Sequence, residues 1–183
     1  MIPLDFYKEP DPVKIAKDLI GTHLFTKIDG EITGGMIVES EAYGGVTDRA
    51  SHAYGDRRTK RTEPMYASGG IAYVYLCYGM YPLLNVVTNI EGIPHAVLIR
   101  AIKPLVGIDV MEKRRKMRKP LADGPGKLNA ALGITLEHNW QSFQSDTLWI
   151  EKRKGLVGKI KASPRIGIDY AKEDAFLPWR FSI

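Results

Sequence analysis

Ala72-Tyr-Val-Tyr-Leu-Cys77, then Tyr78-Gly79-Met80-Tyr81-Pro82, then Leu83-Leu-Asn-Val-Val-Thr88 is the stretch on which the fold turns. The two outer runs are rich in aromatic and β-branched residues, which pack well on a pleated surface, and a glycine lies between them. Together they predict a β-hairpin with a glycine tip. Pro82 donates no backbone hydrogen bond, so the returning strand is expected to start late or to lie at an edge. Turns favour small polar residues, and Tyr78, Met80 and Tyr81 are large. Such side chains either fold back on the core or stand out as a wedge, and wedges beside basic clusters are how proteins unstack bases.

Working outward, Gly35 to Tyr43 alternates with period two. Met36, Val38, Ser40 and Ala42 form one face, and Ile37, Glu39, Glu41 and Tyr43 the other, the pattern of a strand whose second face carries two carboxylates and a phenol. His95 to Ala101 reads as another strand, as do Leu148 to Arg153, Arg165 to Asp169 and Trp179 to Ile183. Helices are expected from Asp11 to Gly21, where Asp11 caps, Pro12 suits the first turn and Gly21 ends it, from Pro104 to about Arg118, and from Pro125 to Leu132. Strands outnumber helices and hairpins are the natural links. The fold class expected is mixed α/β (α+β), a single domain over residues 1–183 on a curved, mainly antiparallel sheet with flanking helices and a protruding β-hairpin.

The 183 residues are 44% apolar and 26% charged, which suits one folded domain. The lone Cys77 makes no internal disulfide and anchors no zinc site, so disulfide scaffolds and zinc fingers are excluded. No run approaches the roughly 18–20 apolar residues of a membrane span, and the opening Met1-Ile-Pro-Leu-Asp-Phe is no secretory signal, so a soluble intracellular protein is expected. The formal charge is +5, unevenly placed: residues 1–100 hold 10 basic and 12 acidic side chains, and residues 101–183 hold 16 and 9. Basic clusters at Arg57, Arg58, Lys60 and Arg61, at Lys113 to Lys119, and at Lys152 to Lys154 suit either a phosphate-rich partner or a solvated surface.

Glu39 and Glu41 are the foremost acid–base feature, since carboxylates two apart on a pleat lie about 7 Å from each other. Arg100, between apolar strand residues, needs a carboxylate partner when half-buried, and Glu41 is a candidate. His23, His52, His95 and His138 share no metal-ligand spacing, so no metal site is expected. Asp123-Gly-Pro-Gly-Lys127 resembles a phosphate loop but lacks its first glycine and the hydroxyl residue after the lysine, leaving at most a helix start that holds one phosphate. Tyr43, Tyr73 and Tyr75 suggest a pocket for a planar base.

Seven blocks in order resemble the alkyladenine (3-methyladenine, methylpurine) DNA glycosylase family: Ile37 to Tyr43, Asp48 to Gly55, Arg61 to Met65, Ala72 to Met80, Leu84 to Val87, Ala96 to Ala101 and Gly124 to Leu128. The resemblance implies a monofunctional repair glycosylase that flips alkylated or deaminated purines (3-methyladenine, 7-methylguanine, ethenoadenine, hypoxanthine) from duplex DNA. It would hydrolyse the N-glycosidic bond and leave an abasic site. Glu41 matches the base that activates water, and Arg100 the residue that positions it. Tyr43, His52 and Tyr75 match the walls of the base pocket and Asn85 its floor. Tyr78, supported by Met80, matches the side chain that fills the gap in the stack; Arg57, Thr59, Arg61, Met65 and Lys127 match DNA contacts.

No cofactor, metal or membrane is implied; the partner is double-stranded DNA bearing damaged purines, and a monomer is expected. The location would be the cytoplasm, at the nucleoid, in a bacterium, and the nucleus in a eukaryote. Relatives continue past the stretch resembling Pro178 to Phe181 into a tail whose backbone helps hold the water, whereas this sequence ends at Ile183. The expectation is that another backbone group serves, or that hydrolysis is weakened and the protein binds lesions without cutting them. A small-molecule enzyme using Gly124 to Lys127 for phosphate is a third reading, and lyase action lacks a pocket lysine.

Overall fold

The computed structural model describes residues 1–152 and 158–183. Two helices open the chain, α1 (Leu4–Tyr7) and α2 (Pro12–Leu19). The Asp11 side chain accepts from the Val13 N–H and Pro12 occupies the first turn, so α2 begins as its sequence requires. Then come β1 (His23–Ile28), β2 (Glu31–Tyr43), β3 (Ala72–Cys77), β4 (Tyr81–Thr88) and β5 (His95–Val106). Next are α3 (Ile108–Arg115), α4 (Pro125–Leu132), β6 (Leu148–Glu151), β7 (Lys161–Ser163) and β8 (Arg180–Ser182).

Among the described residues the eight strands form one sheet in the order β3-β4-β5-β2-β1-β6, with β8 on β2 and β7 on β8. Every ladder is antiparallel. The expected α+β class on an antiparallel sheet is what forms. One face packs Val74, Leu84, Val86, Val97, Ile99 and Ala42 against Ile15, Ala16 and Leu19 of α2 and Leu128, Ala131 and Leu132 of α4 in a single buried cluster. The other face carries the polar rows described below.

The register shifts are what position the site. Between Ile37 and Ser40 of β2 the pairing runs Ile37 to Ile102, Glu39 to Ala101 and Ser40 to Ile99, which leaves Val38 and Arg100 as extra residues. A bulge rotates the residues beyond it relative to those before it. Ile37 therefore lies in the same helix-facing core as Ala42, and not on the face of Glu39, Glu41 and Tyr43 where strict alternation puts it.

Three further expectations are corrected, and the choice left open at Pro82 is decided. Pro104 starts no helix: β5 runs past Ala101 to Val106, pairing Pro104 with Gly35, and the helix shortens to Ile108–Arg115. Pro82 does not delay β4, which starts at Tyr81; the other alternative holds, since the ladder to β5 begins only at Asn85 and β4 is an edge at the proline. Arg165 to Asp169 is no strand but a bend, with Gly167 at φ 73° leading into a 3-10 segment over Asp169–Phe176. The final strand narrows to Arg180–Ser182. The basic run Lys152 to Lys154 and the end of the expected Leu148 to Arg153 strand fall partly on residues outside those described.

Candidate active site

Directly paired residues of neighbouring strands project from the same face of a sheet. The registers Tyr73 to Asn85, Asn85 to Leu98, Leu98 to Glu41 and Glu41 to Arg180 thus lay one row of side chains across β3, β4, β5, β2 and β8. A second row, Val87, Ala96 and Tyr43, runs beside it. Over this face fold the segments 44–71 and 164–179, and between sheet and segments lies a cavity of about 610 Å³. It is lined by Tyr43, His52, Arg61, Met65, Tyr73, Tyr75, Tyr78, Asn85, Arg100, Ile166 and Tyr170, among others.

Glu41 has no exposed surface and is held by three residues that line the cavity, Tyr43, Arg100 and Ile166. Its Oε1 accepts from the Ile166 N–H at 2.9 Å, and its Oε2 accepts from the Tyr43 hydroxyl at 2.9 Å and sits 3.3 Å from an Arg100 guanidinium nitrogen. A carboxylate has about four lone-pair positions, so about one remains for a further donor. Arg100, aimed by its bulge, also donates to Glu39 Oε1 at 3.1 Å, and Arg180 donates to the same oxygen at 2.9 Å. The two carboxylates expected on one face are thus both there, bridged by one guanidinium. Burial first, and then the Glu41 charge, push the Tyr43 phenol well above its ordinary value, which keeps its proton available to Glu41.

The walls are aromatic. The His52 and Tyr75 rings meet edge to face at 4.5 Å, and Tyr73 tilts against Tyr75 at 5.4 Å. His52 Nδ1 bonds the Tyr73 hydroxyl at 2.8 Å. Burial, with the Arg61 and Arg57 charges behind it, lowers the His52 imidazole to about 4, so it is neutral at pH 7. Asn85 is buried and its amide group donates to the Tyr73 and Leu83 carbonyls, which fixes it in the floor. Arg61 lies 5.1 Å above the Tyr75 ring.

At the rim the hairpin turns through Tyr78, Gly79 and Met80, with Tyr78 at φ 51° and Gly79 at φ 70°. Tyr78 is 88% exposed and Met80 66%, so these side chains stand out from the core. Arg57, Thr59 and Arg61 are exposed, Arg61 among the residues that line the cavity, and Lys127 is exposed on α4, paired with Asp123 at 2.9 Å. Met65 differs from its neighbours: it is buried and lines the cavity. Among the described residues no three His, Cys, Asp or Glu side chains are grouped to hold a metal, and no helix is long and apolar enough to cross a membrane.

A family model described as methylpurine-DNA glycosylase (MPG) matches residues 5–183. The chain belongs to the methylpurine-DNA glycosylase family. Like other members it is a DNA repair enzyme, a hydrolase of the glycosylase class. A Chlamydia felis protein named "Putative 3-methyladenine DNA glycosylase" is 52% identical over 185 residues, covering 99% of this chain and 95% of the relative. A Bacillus thuringiensis protein of the same name is 49% identical over 192 residues, covering 98% and 93%. Sequence reasoning does not single out as parts of the site the buried Asp48 and Arg165, or Ile166, whose side chain is exposed but whose N–H meets Glu41. An arginine between Pro164 and Ile166, two residues before Gly167, is the signal that could have marked them.

Proposed function

We propose that the protein excises alkylated and deaminated purines, among them 3-methyladenine, 7-methylguanine, ethenoadenine and hypoxanthine, from duplex DNA by base flipping and hydrolysis. The observation that carries this reading is Glu41, buried and held by three residues that line an aromatic cavity, Ile166, Tyr43 and Arg100. The full chain over residues 1–183 acts as one glycosylase domain, and as a monomer, since one chain supplies every residue of the site. The relatives above come from bacteria, which supports action on the nucleoid in the cytoplasm.

Flipping costs a few kcal/mol of unstacking, and stacking on aromatic side chains returns about 1–3 kcal/mol per base. Tyr78, exposed at the tip, fills the gap left in the duplex with Met80 beside it. The extruded purine lies between Tyr43 and the His52–Tyr75 pair, over Asn85. Arg57, Thr59 and Lys127 meet phosphates outside the cavity, Arg61 does so from the cavity lining, and Met65 packs from within.

In the reacting complex a water takes the remaining acceptor position of Glu41, oriented by Arg100. As the bond from the sugar anomeric carbon to the purine breaks, its electron pair leaves with the base and positive charge grows on the sugar. The water oxygen bonds to that carbon and its proton passes to Glu41, whose anion also stabilises the sugar cation. Alkylated purines already carry positive charge and leave readily. The Ile166 N–H, on the segment that closes the cavity, holds Oε1 of Glu41 while Tyr43 and Arg100 hold Oε2.

The test is chromatography of the bases released from a methylated duplex in chelator. Free methylpurines with intact normal bases support the reading. Release of nothing, with tight lesion binding, would favour a lesion-binding protein that does not cut.

A further inference from the structure

Besides Glu41, the charged side chains most completely buried among the described residues are Asp48, 1% exposed, and Arg165, 0% exposed. They form a two-pronged pair: the guanidinium donates to Asp48 Oδ2 at 2.6 Å and to Oδ1 at 2.9 Å. The same group donates to the Ala42 carbonyl at 2.9 Å and the Asp174 carbonyl at 3.2 Å. Asp48 in turn accepts from the Gly44 and Ala50 N–H groups at 2.9 and 3.0 Å. The guanidinium carbon lies over two rings, 5.0 Å from the centroids of both Tyr43 and Trp179.

Three segments meet at this pair: the end of β2, the loop that carries His52, and the bend that carries Ile166. No strand ladder joins the loop or the bend to β2, so side chains must set their spacing. The residue after Arg165 is the one whose N–H meets Glu41 Oε1, and the ring beneath its guanidinium belongs to the residue whose hydroxyl meets Glu41 Oε2. A buried ion pair is weak evidence for stability, because desolvation offsets most of its attraction. What a planar fork supplies is geometry, fixed in distance and in plane.

We propose that Arg165, locked by Asp48, is a positioning residue for the catalytic carboxylate: it holds the Ile166 N–H and the Tyr43 hydroxyl on the two oxygens of Glu41. The inference rests on the glycosylase reading and deepens it. Arg165 touches neither the cavity's occupant nor the water; it acts through Glu41. Its loss therefore slows bond cleavage more than it weakens capture of the damaged duplex.

The experiment compares the full-length protein with Arg165→Lys, which keeps the charge but neither the fork nor the planar group over the rings. Single-turnover excision from a hypoxanthine duplex is measured across protein concentrations, giving a maximal rate and a half-saturating concentration. Leu148→Ala, a core truncation on β6 away from the site, serves as the control for lost stability, each protein being assayed at the same interval below its own midpoint.

The expected result is a maximal rate about 10- to 100-fold lower for Arg165→Lys, as a misplacement of about 1 Å can produce, with half-saturation shifted less than about fivefold and Leu148→Ala near the unaltered rate. A rate within about threefold of the unaltered protein, a parallel loss of rate and affinity, or an equal loss in Leu148→Ala would overturn it. If Arg165→Lys does not fold, Trp179→Leu, which removes one ring face and keeps the charge pair, must show the same split between rate and affinity; an unchanged rate overturns the inference. An unaltered protein that releases no base sinks the glycosylase reading and this inference with it, whereas an active unaltered protein with an equally active Arg165→Lys sinks the inference alone.

Discussion

His52 is the residue whose charge state is most exposed to test. Its imidazole is lowered from 6.5 to about 4 in the folded chain. The unfolded chain therefore takes up a proton at a higher pH than the folded one does. The sign follows: stability from this group is complete above about pH 6.5 and is lost progressively as the pH falls towards about 4, by up to about 3 kcal/mol. His52→Gln should flatten the acid limb of a denaturation midpoint plotted against pH in that window. An unchanged acid limb would mean that His52 is not held neutral. Glu41 sets a different limit on what a sequence shows. Its strand face and its partnership with Arg100 were legible, because alternation and the need to pair a half-buried arginine are local or nearly local arguments. The Ile166 N–H and Arg165 were not, since they reach β2 from more than a hundred residues away and no periodicity announces a side chain bonded to a distant bend.

At the scale of elements, the hairpin and the bulged β2–β5 pair carry the function in opposite ways. The tip is free of the core, so Tyr78→Ser should leave the thermal midpoint nearly unchanged, within the roughly 0.5 kcal/mol of ordinary surface substitutions. It should weaken binding to a lesion duplex by about 5- to 150-fold, the loss of about 1–3 kcal/mol of stacking, as read by fluorescence anisotropy. Equal affinity for both proteins would remove the wedge. The strand pair is instead intolerant. A Cβ on Gly35 would lie 2.2 Å from the Lys103 carbonyl oxygen, a backbone atom of β5 that cannot swing aside. Gly35→Ala should therefore cost at least about 1–3 kcal/mol in denaturant unfolding, the usual price of overpacking; no loss would mean that β2 and β5 are less closely apposed. The extent of α4 from Pro125 to Leu132 was readable from Pro at its first turn and the glycine that ends it. The bulges were not, because an extra residue leaves no mark in a period-two pattern, and its result, the crossing of Ile37 to the core, contradicts the simple reading.

The whole molecule adds a field to the site. With a charge of +5 and exposed Arg57, Arg61 and Lys127, binding to duplex should weaken linearly in log salt, by about 0.9 per phosphate neutralised. Lys127→Ala should lower that slope by about 1 and weaken damaged and undamaged duplexes alike. A selective loss for the damaged duplex would place Lys127 in lesion recognition. The antiparallel α+β class was legible from the number of strands and their hairpin links, whereas the covering of one sheet face by the segments 44–71 and 164–179 was not, since their order lies in long-range side-chain bonds.

The central claim is that Glu41 activates the water, and Glu41→Gln tests it most directly. Single-turnover release of hypoxanthine and affinity for the same duplex are measured side by side for the unaltered protein and the variant. The account predicts affinity within a few-fold of the unaltered protein and excision lowered by at least the roughly 100- to 10,000-fold that a positioned general base supplies. Base release by Glu41→Gln at the unaltered rate would contradict it.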